Sequence, residues 1–277
     1  MPLLRLRIDL PRLRQRMDSP GAGCELAMVE AITFDYWHTL LFDTPEGLKR
    51  ARELRISAMG SVLSRIGHPF SPEELNRAYD ESGQRIMRVW AQDADMSARD
   101  QVIIYLDCLG VNHLDRPPED DLAELERAYA TPILQTLPQL CPGAAEMLRS
   151  LREAGVRIGL VSNTGRTPGY VLRMVLKELD ILGFFDVLIF SDELKLRKPN
   201  PMIFFHALCQ LRVRPHLALH VGDDLRCDVG GAKAVGMKAI LLDRGHGEQK
   251  NFDIQPDGII EDLFQLSSCL ERLERSV

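Results

Sequence analysis

The chain has 277 residues, is 45% apolar and 27% charged, and carries a formal net charge of -6. Those proportions belong to an ordinary globular protein, with room for one large domain or a medium domain carrying a smaller one. The acidic balance gives no electrostatic reason to expect nucleic acid or an anionic membrane as partner, and no run of about 18 apolar residues reads as a membrane span. A small phosphorylated molecule stays allowed, since the charge inside a pocket can oppose the total. Six cysteines are scattered without zinc-ligand spacing and read as reduced thiols, which points to a cytoplasmic protein.

In chain order, residues 1–27 come first. Arg5, Arg7, Arg12, Arg14 and Arg16 alternate with leucines, and Pro20, Gly21 and Gly23 follow. This stretch reads as an amphipathic targeting segment or as a dispensable extension ahead of Met28; the second is the simpler expectation. From Ala31 the pattern is β/α. The run Ala31-Ile32-Thr33-Phe34 ends at Asp35, and similar runs cover 156–161, 187–190, 217–221 and 239–242. Helical spacing over 143–154 and 201–211 separates them. Short apolar runs alternating with helices predict a doubly wound, Rossmann-like parallel sheet, whose ligands collect at the C-terminal ends of the strands.

One connection is too long for a crossover. Between Asp35 and Val156, Leu54, Ala58, Met59, Val62, Leu63 and Ile66 fall on one helical face. Ser71-Pro72-Glu73-Glu74 combines an N-cap serine, a first-turn proline and a capping-box glutamate, opening a second helix through Trp90. Residues 97–109 and 122–129 read as two more. The predicted organisation is an α/β core from 28–43 and 138–277, with an α-helical insert over 44–137.

Four polar stations stand where strands end. Asp35 closes the first strand and precedes Tyr36-Trp37-His38-Thr39; a carboxylate there can act as a nucleophile, although alone it could equally be a turn residue. Ser162 and Asn163 follow the second strand and could donate to a phosphoryl oxygen or simply cap a helix. Lys198 precedes the helix opened by Pro201. Asp223, Asp224 and Asp228 cluster after a buried strand, where like charges repel and a hard cation such as Mg²⁺ would relieve them. Singly these are weak. Their order, each after a successive β/α signal, brings a nucleophile, a hydroxyl, a lysine and paired acids to one crevice.

In that order the chain resembles the haloacid dehalogenase superfamily. The carrying segments are ITFDYWHTLL, LVSNTG, LRKPNPMIF and HVGDDLRCDVGGAKAVGM. The resemblance implies Asp35 as nucleophile of a Mg²⁺-dependent hydrolase, with Thr39 holding its loop and Ser162 binding the transferring group beside Asn163. It implies Lys198 neutralising the charge, and Asp223 with the backbone carbonyl of Trp37 joining Asp35 around the metal. Asp228 and Asp224 would be supporting residues, and the helical insert a cap that closes over a small phosphorylated substrate.

Trp37 departs from the family pattern, in which phosphatases usually carry a general-acid aspartate two residues after the nucleophile. Losing that acid costs roughly 10²- to 10⁴-fold, so acyl or aryl phosphates, whose leaving groups are stable anions, should suffer less than alkyl esters. His38 is the nearest substitute acid, against the simpler reading of a loop histidine. Three functions stay open: a phosphatase, favoured because the magnesium acids are present; a 2-haloacid dehalogenase, whose family members also lack the second aspartate; and a weakly catalytic binding or regulatory protein. Arg50, Arg52, Arg55 and Arg85 are candidate anion contacts or surface residues.

Overall fold

Why the short apolar runs form strands is visible in their burial: every residue of β1 (Ala31–Phe34) and β6 (Ala218–Gly222) is hidden from solvent. Both faces of such strands need cover, which favours the all-parallel arrangement. The computed structural model describes residues 29–111, 113–245 and 253–275, so the predicted 1–27 extension lies outside the described residues. Besides β1 and β6, the main sheet contains β4 (Arg157–Ser162), β5 (Val187–Phe190), β7 (Lys238–Leu242) and β8 (Gly258–Ile260). Their order is β5-β4-β1-β6-β7-β8, with every neighbouring pair parallel. β1 therefore sits centrally, and the chain winds away from it in both directions. Phe34 stands opposite both Leu160 and Val221, so three strand ends open onto one crevice.

Two apolar layers cover the sheet. Ile32, Phe34, Leu160 and Val221 face α5 (Ala144–Glu153), α6 (Gly169–Glu178) and α10 (Leu266–Arg275). Ala31, Val161, Ile189 and Leu241 face α8 (Pro201–Leu211) through Ile203, Phe204 and Leu208. Short helices α7 (Ser191–Leu194) and α9 (Gly231–Ala234) complete the core.

The long connection is the helical insert. It comprises α1 (Pro45–Arg65), α2 (Pro72–Trp90), α3 (Ala98–Cys108) and α4 (Glu119–Ala130). These close around their own apolar cluster, including Met59, Leu63, Leu75, Tyr79, Val102, Tyr105, Leu125 and Tyr129. The predicted capping box of α2 is formed: Ser71 Oγ accepts from the Glu74 amide, and Glu74 accepts from the Ser71 amide at 2.8 Å. Ser97 caps α3 in the same way with Asp100. The chain leaves for the insert and returns from it through an antiparallel ribbon, β2 (Leu41–Phe42) with β3 (Gln139–Leu140). No helix among the described residues is long and apolar enough to cross a membrane.

Candidate active site

Asp35 is the first residue beyond β1, and its amide is still held in the sheet by the Val221 carbonyl at 2.9 Å. That bond aims its side chain into the crevice. Lys198 reaches the same point from the loop between α7 and α8. Its ammonium donates to Asp35 Oδ1, to Asp228 Oδ1 at 2.6 Å and to the Val161 carbonyl at 2.8 Å. Only 3% of Lys198 is exposed. The main chain of Lys198 is fixed from both sides by one amide: Asn163 Oδ1 accepts from the Lys198 N–H at 2.8 Å, and Asn163 Nδ2 donates to its carbonyl at 3.0 Å.

Three carboxylates surround this ammonium. One oxygen from each of Asp35, Asp223 and Asp228 lies within 4.8 Å of the others. Asp228 is tied down: Oδ2 accepts from the Asp224 amide at 3.0 Å, and Oδ1 faces His220 Nε2 at 3.1 Å as well as Lys198. The carboxylate also fills the space beside Gly222, where an added Cβ would stand 2.2 Å from Asp228 Cγ, so only glycine fits. His220 is wholly buried beneath the site, with Nδ1 2.8 Å from Thr33 Oγ1 and its ring edge-on to Phe204.

The electrostatics divide these groups. Burial lifts the Asp35 carboxyl above its ordinary range; Lys198 opposes the rise and Asp228 adds to it. Burial likewise raises Asp223, helped by the charges of Asp35 and Asp228. For Asp228 burial is outweighed by Lys198 and His220, which hold it ionised. Burial works against the Lys198 charge, but Asp228 and Asp35 keep it protonated. His220 is pushed down by burial and stays neutral. One lysine thus serves three acids. Joint ionisation of Asp35 and Asp223 is left uncompensated, and an all-oxygen donor set of this kind suits a hard divalent cation, which would displace the proton.

The loop after Asp35 turns tightly, with Leu40 and Leu41 donating to the Tyr36 carbonyl and His38 N–H to the Leu41 carbonyl. His38 takes a left-handed conformation (φ 57°), is exposed, and its carbonyl accepts from Arg244. Trp37 is half-buried against the core, edge-on to Tyr36 with ring centroids 4.7 Å apart. Two hydroxyls nearby are poorly satisfied. Thr39 Oγ1 is buried without a partner, and Ser162 Oγ reaches only the Asn163 carbonyl, at 3.4 Å. Buried donors left open are uncommon unless a ligand or ordered water uses them.

A family model of haloacid dehalogenase-like hydrolases matches residues 29–236. The chain belongs to that family. It is 28% identical over 261 residues to the glyceraldehyde 3-phosphate phosphatase of Methanopyrus kandleri, spanning 90% of this chain and 100% of that protein. It is 29% identical over 167 residues to the phosphoglycolate phosphatase of Nitrosococcus oceani, 58% of this chain and 72% of that one. Among solved structures, the 2-haloacid dehalogenase from Pseudomonas syringae pv. tomato superposes with a TM-score of 0.67 over 88% of this chain and 99% of that one; at 21% identity this is a likeness of fold. A HAD phosphatase from Thermococcus onnurineus gives 0.55 at 26% identity, covering 87% and 97%.

Of the residues singled out in the sequence, Asp35, Ser162, Lys198, Asp223 and Asp228 end strands or their following loops around one crevice. Two expectations need correction. Asn163 is not a free substrate contact, because both ends of its amide are engaged by the Lys198 main chain. Thr39 does not hold its loop through its hydroxyl, which bonds to nothing; the main-chain turn does that. Asp224, expected as a supporting residue, is exposed and caps the turn that carries Asp228, accepting from the amides of Arg226 at 2.8 Å and Cys227 at 2.6 Å. Among the candidate arginines, Arg50, Arg52 and Arg85 make exposed pairs with Glu53, Asp80 and Glu81. Arg55 is buried and donates to the Tyr129 carbonyl at 2.6 Å and the Tyr79 hydroxyl at 3.2 Å. His220 was not singled out in the sequence, although a histidine inside an otherwise apolar strand just before the acidic loop is a usable signal.

Proposed function

We propose that this protein is a Mg²⁺-dependent phosphatase acting on a small phosphorylated metabolite, with Asp35 as nucleophile. The observation that carries the reading is the crowding of Asp35 and Asp223 around a lysine that is already shared with Asp228, whose Oδ1 accepts from it at 2.6 Å. That sharing leaves uncompensated carboxylate charge for a cation. The oxygens of Asp35 and Asp223, with the main-chain carbonyl of Trp37, are the proposed Mg²⁺ ligands. When bound, the ion neutralises charge on the phosphoryl oxygens.

The residues of the chain supply the rest. Lys198 occupies Asp35 Oδ1 and leaves Oδ2 to attack phosphorus; the bond from phosphorus to the leaving oxygen breaks, and that oxygen departs with the electron pair. Lys198 and the Ser162 hydroxyl stabilise the negative charge on the transferring group. Water then attacks phosphorus, the bond to Asp35 breaks, inorganic phosphate leaves, and the proton of the water passes to solvent. The Trp37 indole N–H is too weak an acid to protonate the leaving group. Acyl and aryl phosphates are therefore the favoured class, and alkyl esters, including those for which the relatives are named, should turn over more slowly.

The dehalogenase reading has one observation in its favour, the aromatic side chain at position 37, and one against it, the retained acid cluster. Acetyl phosphate, p-nitrophenyl phosphate and a 2-haloacid, each assayed with Mg²⁺ and with chelator, separate the two. Metal-dependent phosphate release is expected; metal-independent halide release would replace this reading with the other. Trp37→Asp should raise turnover of an alkyl phosphate by about 10²-fold relative to acetyl phosphate. An unchanged ratio in a folded variant would show that leaving-group protonation is not what is missing.

A further inference from the structure

Asp95 lies in the loop between α2 and α3, and its carboxylate is completely buried. Oδ1 accepts from partners within the insert, Trp90 Nε1 at 3.0 Å and the Met96 amide at 2.8 Å. Oδ2 accepts from the core: Ser191 Oγ, Thr164 Oγ1 at 3.3 Å and Arg197 Nη1 at 2.8 Å. The same Arg197 nitrogen donates to the Thr164 carbonyl at 2.6 Å, and its guanidinium lies over the Trp90 ring at 4.5 Å.

The main chain reinforces the junction. Ala94 forms an antiparallel bridge with Leu196, the Asp95 amide donates to the Lys195 carbonyl at 3.2 Å, and the Arg197 amide to the Asp93 carbonyl at 3.1 Å. Asp93 makes a two-pronged pair with Arg226, at 3.0 and 2.9 Å. Three consecutive insert residues thereby reach the loops that follow β4, β5 and β6. From the other direction, Arg166 of the β4 loop enters the insert, donating to the Tyr129 hydroxyl at 2.7 Å and the Tyr79 carbonyl at 2.9 Å.

Two core partners of Asp95 stand one residue from the chemistry. Thr164 follows Asn163, whose amide holds the Lys198 main chain, and Arg197 precedes Lys198. We infer that Asp95 is a positioning residue, through which the seating of the helical insert sets the placement of Lys198 and of the loop carrying Ser162 and Asn163. The inference rests on the phosphatase reading for its kinetic consequence but not for its structural one. When Asp95 is seated, its charge orients Arg197 and Thr164 together; when the insert withdraws, both loops lose their shared anchor. The insert is then part of how the site is assembled.

Asp95→Asn tests this, because the isosteric amide must turn an NH₂ toward one of its two sets of donors. Met59→Ala is the comparison, since it weakens the insert's own apolar cluster and touches no partner of Asp95. Two quantities are read on the full chain. With p-nitrophenyl phosphate and Mg²⁺, Asp95→Asn should lower kcat by about tenfold or more while KM stays within about threefold, beyond any loss in a Met59→Ala variant of equal Tm. Amide hydrogen exchange in segments 162–168 and 193–200 should quicken by about tenfold in Asp95→Asn and not in Met59→Ala. Unchanged exchange in those segments overturns the inference, as does a kcat loss no larger than that of Met59→Ala. Should the wild-type protein release no phosphate, the functional reading fails and the exchange result alone decides.

Discussion

Two buried polar clusters sit side by side at the strand ends, and they are built to opposite rules. Around Asp95 one carboxylate meets a guanidinium, two hydroxyls, an indole and a main-chain amide, so its accepting capacity is filled. Around Lys198 a single ammonium faces Asp35 and Asp228 with Asp223 close by, and the hydroxyls of Thr39 and Ser162 lack good partners. A joint that has to fix the relative placement of two parts gains from complete satisfaction. A site with the proposed role, accepting a cation and a phosphoryl group, has to keep uncompensated acids and open donors in place before they arrive.

That contrast can be broken at either cluster. The largest effect belongs to Asp35→Asn, which should reduce Mg²⁺-dependent phosphate release by at least about 10³-fold while circular dichroism stays native. Retained activity would show that another group is the nucleophile. Next is Arg197→Met, which strands the buried Asp95 charge and should cost about 3–5 kcal/mol of stability in urea unfolding. A cost under about 1 kcal/mol would mean that water reaches the joint.

Asp223→Asn should act in the opposite sense on the metal-free protein, raising Tm in chelator above about pH 8, where the buried Asp223 carboxyl would otherwise have to ionise beside Asp35. It should also erase the Mg²⁺-induced rise in Tm, where a ligand at about 100 times its Kd contributes about 2.7 kcal/mol. The smallest effect concerns Asp192, whose carboxyl burial raises from 3.8 to about 6. The folded chain binds that proton more tightly than the unfolded chain, so its contribution is complete at low pH and is lost as pH climbs through about 6. Asp192→Asn should therefore lose less Tm than the wild type between about pH 4 and 7.

Much of this was legible in the linear chain. The apolar runs ending at Asp35, Ser162 and Gly222 marked strands because both faces had to be buried, and the capping box at Ser71 marked a helix start because its bonds are local. The β2–β3 ribbon was not legible: two-residue strands carry no periodicity, and Leu41 meets Leu140 only after the whole insert has folded between them. The same holds for side-chain roles. Asn163 has the position of a substrate contact in the sequence, yet in the fold both ends of its amide belong to the Lys198 main chain.

By itself, then, the order of residues determined the α/β core, the helical insert and the set of groups delivered to the strand ends, since burial pattern and local capping are properties of neighbours along the chain. Only the tertiary structure decided which carboxylates are already paired, that His220 lies under Asp228, and that Asp95 reaches across from the insert to Arg197. Hydrogen bonds and charges act over a few ångströms in space, and sequence separation carries no record of that distance.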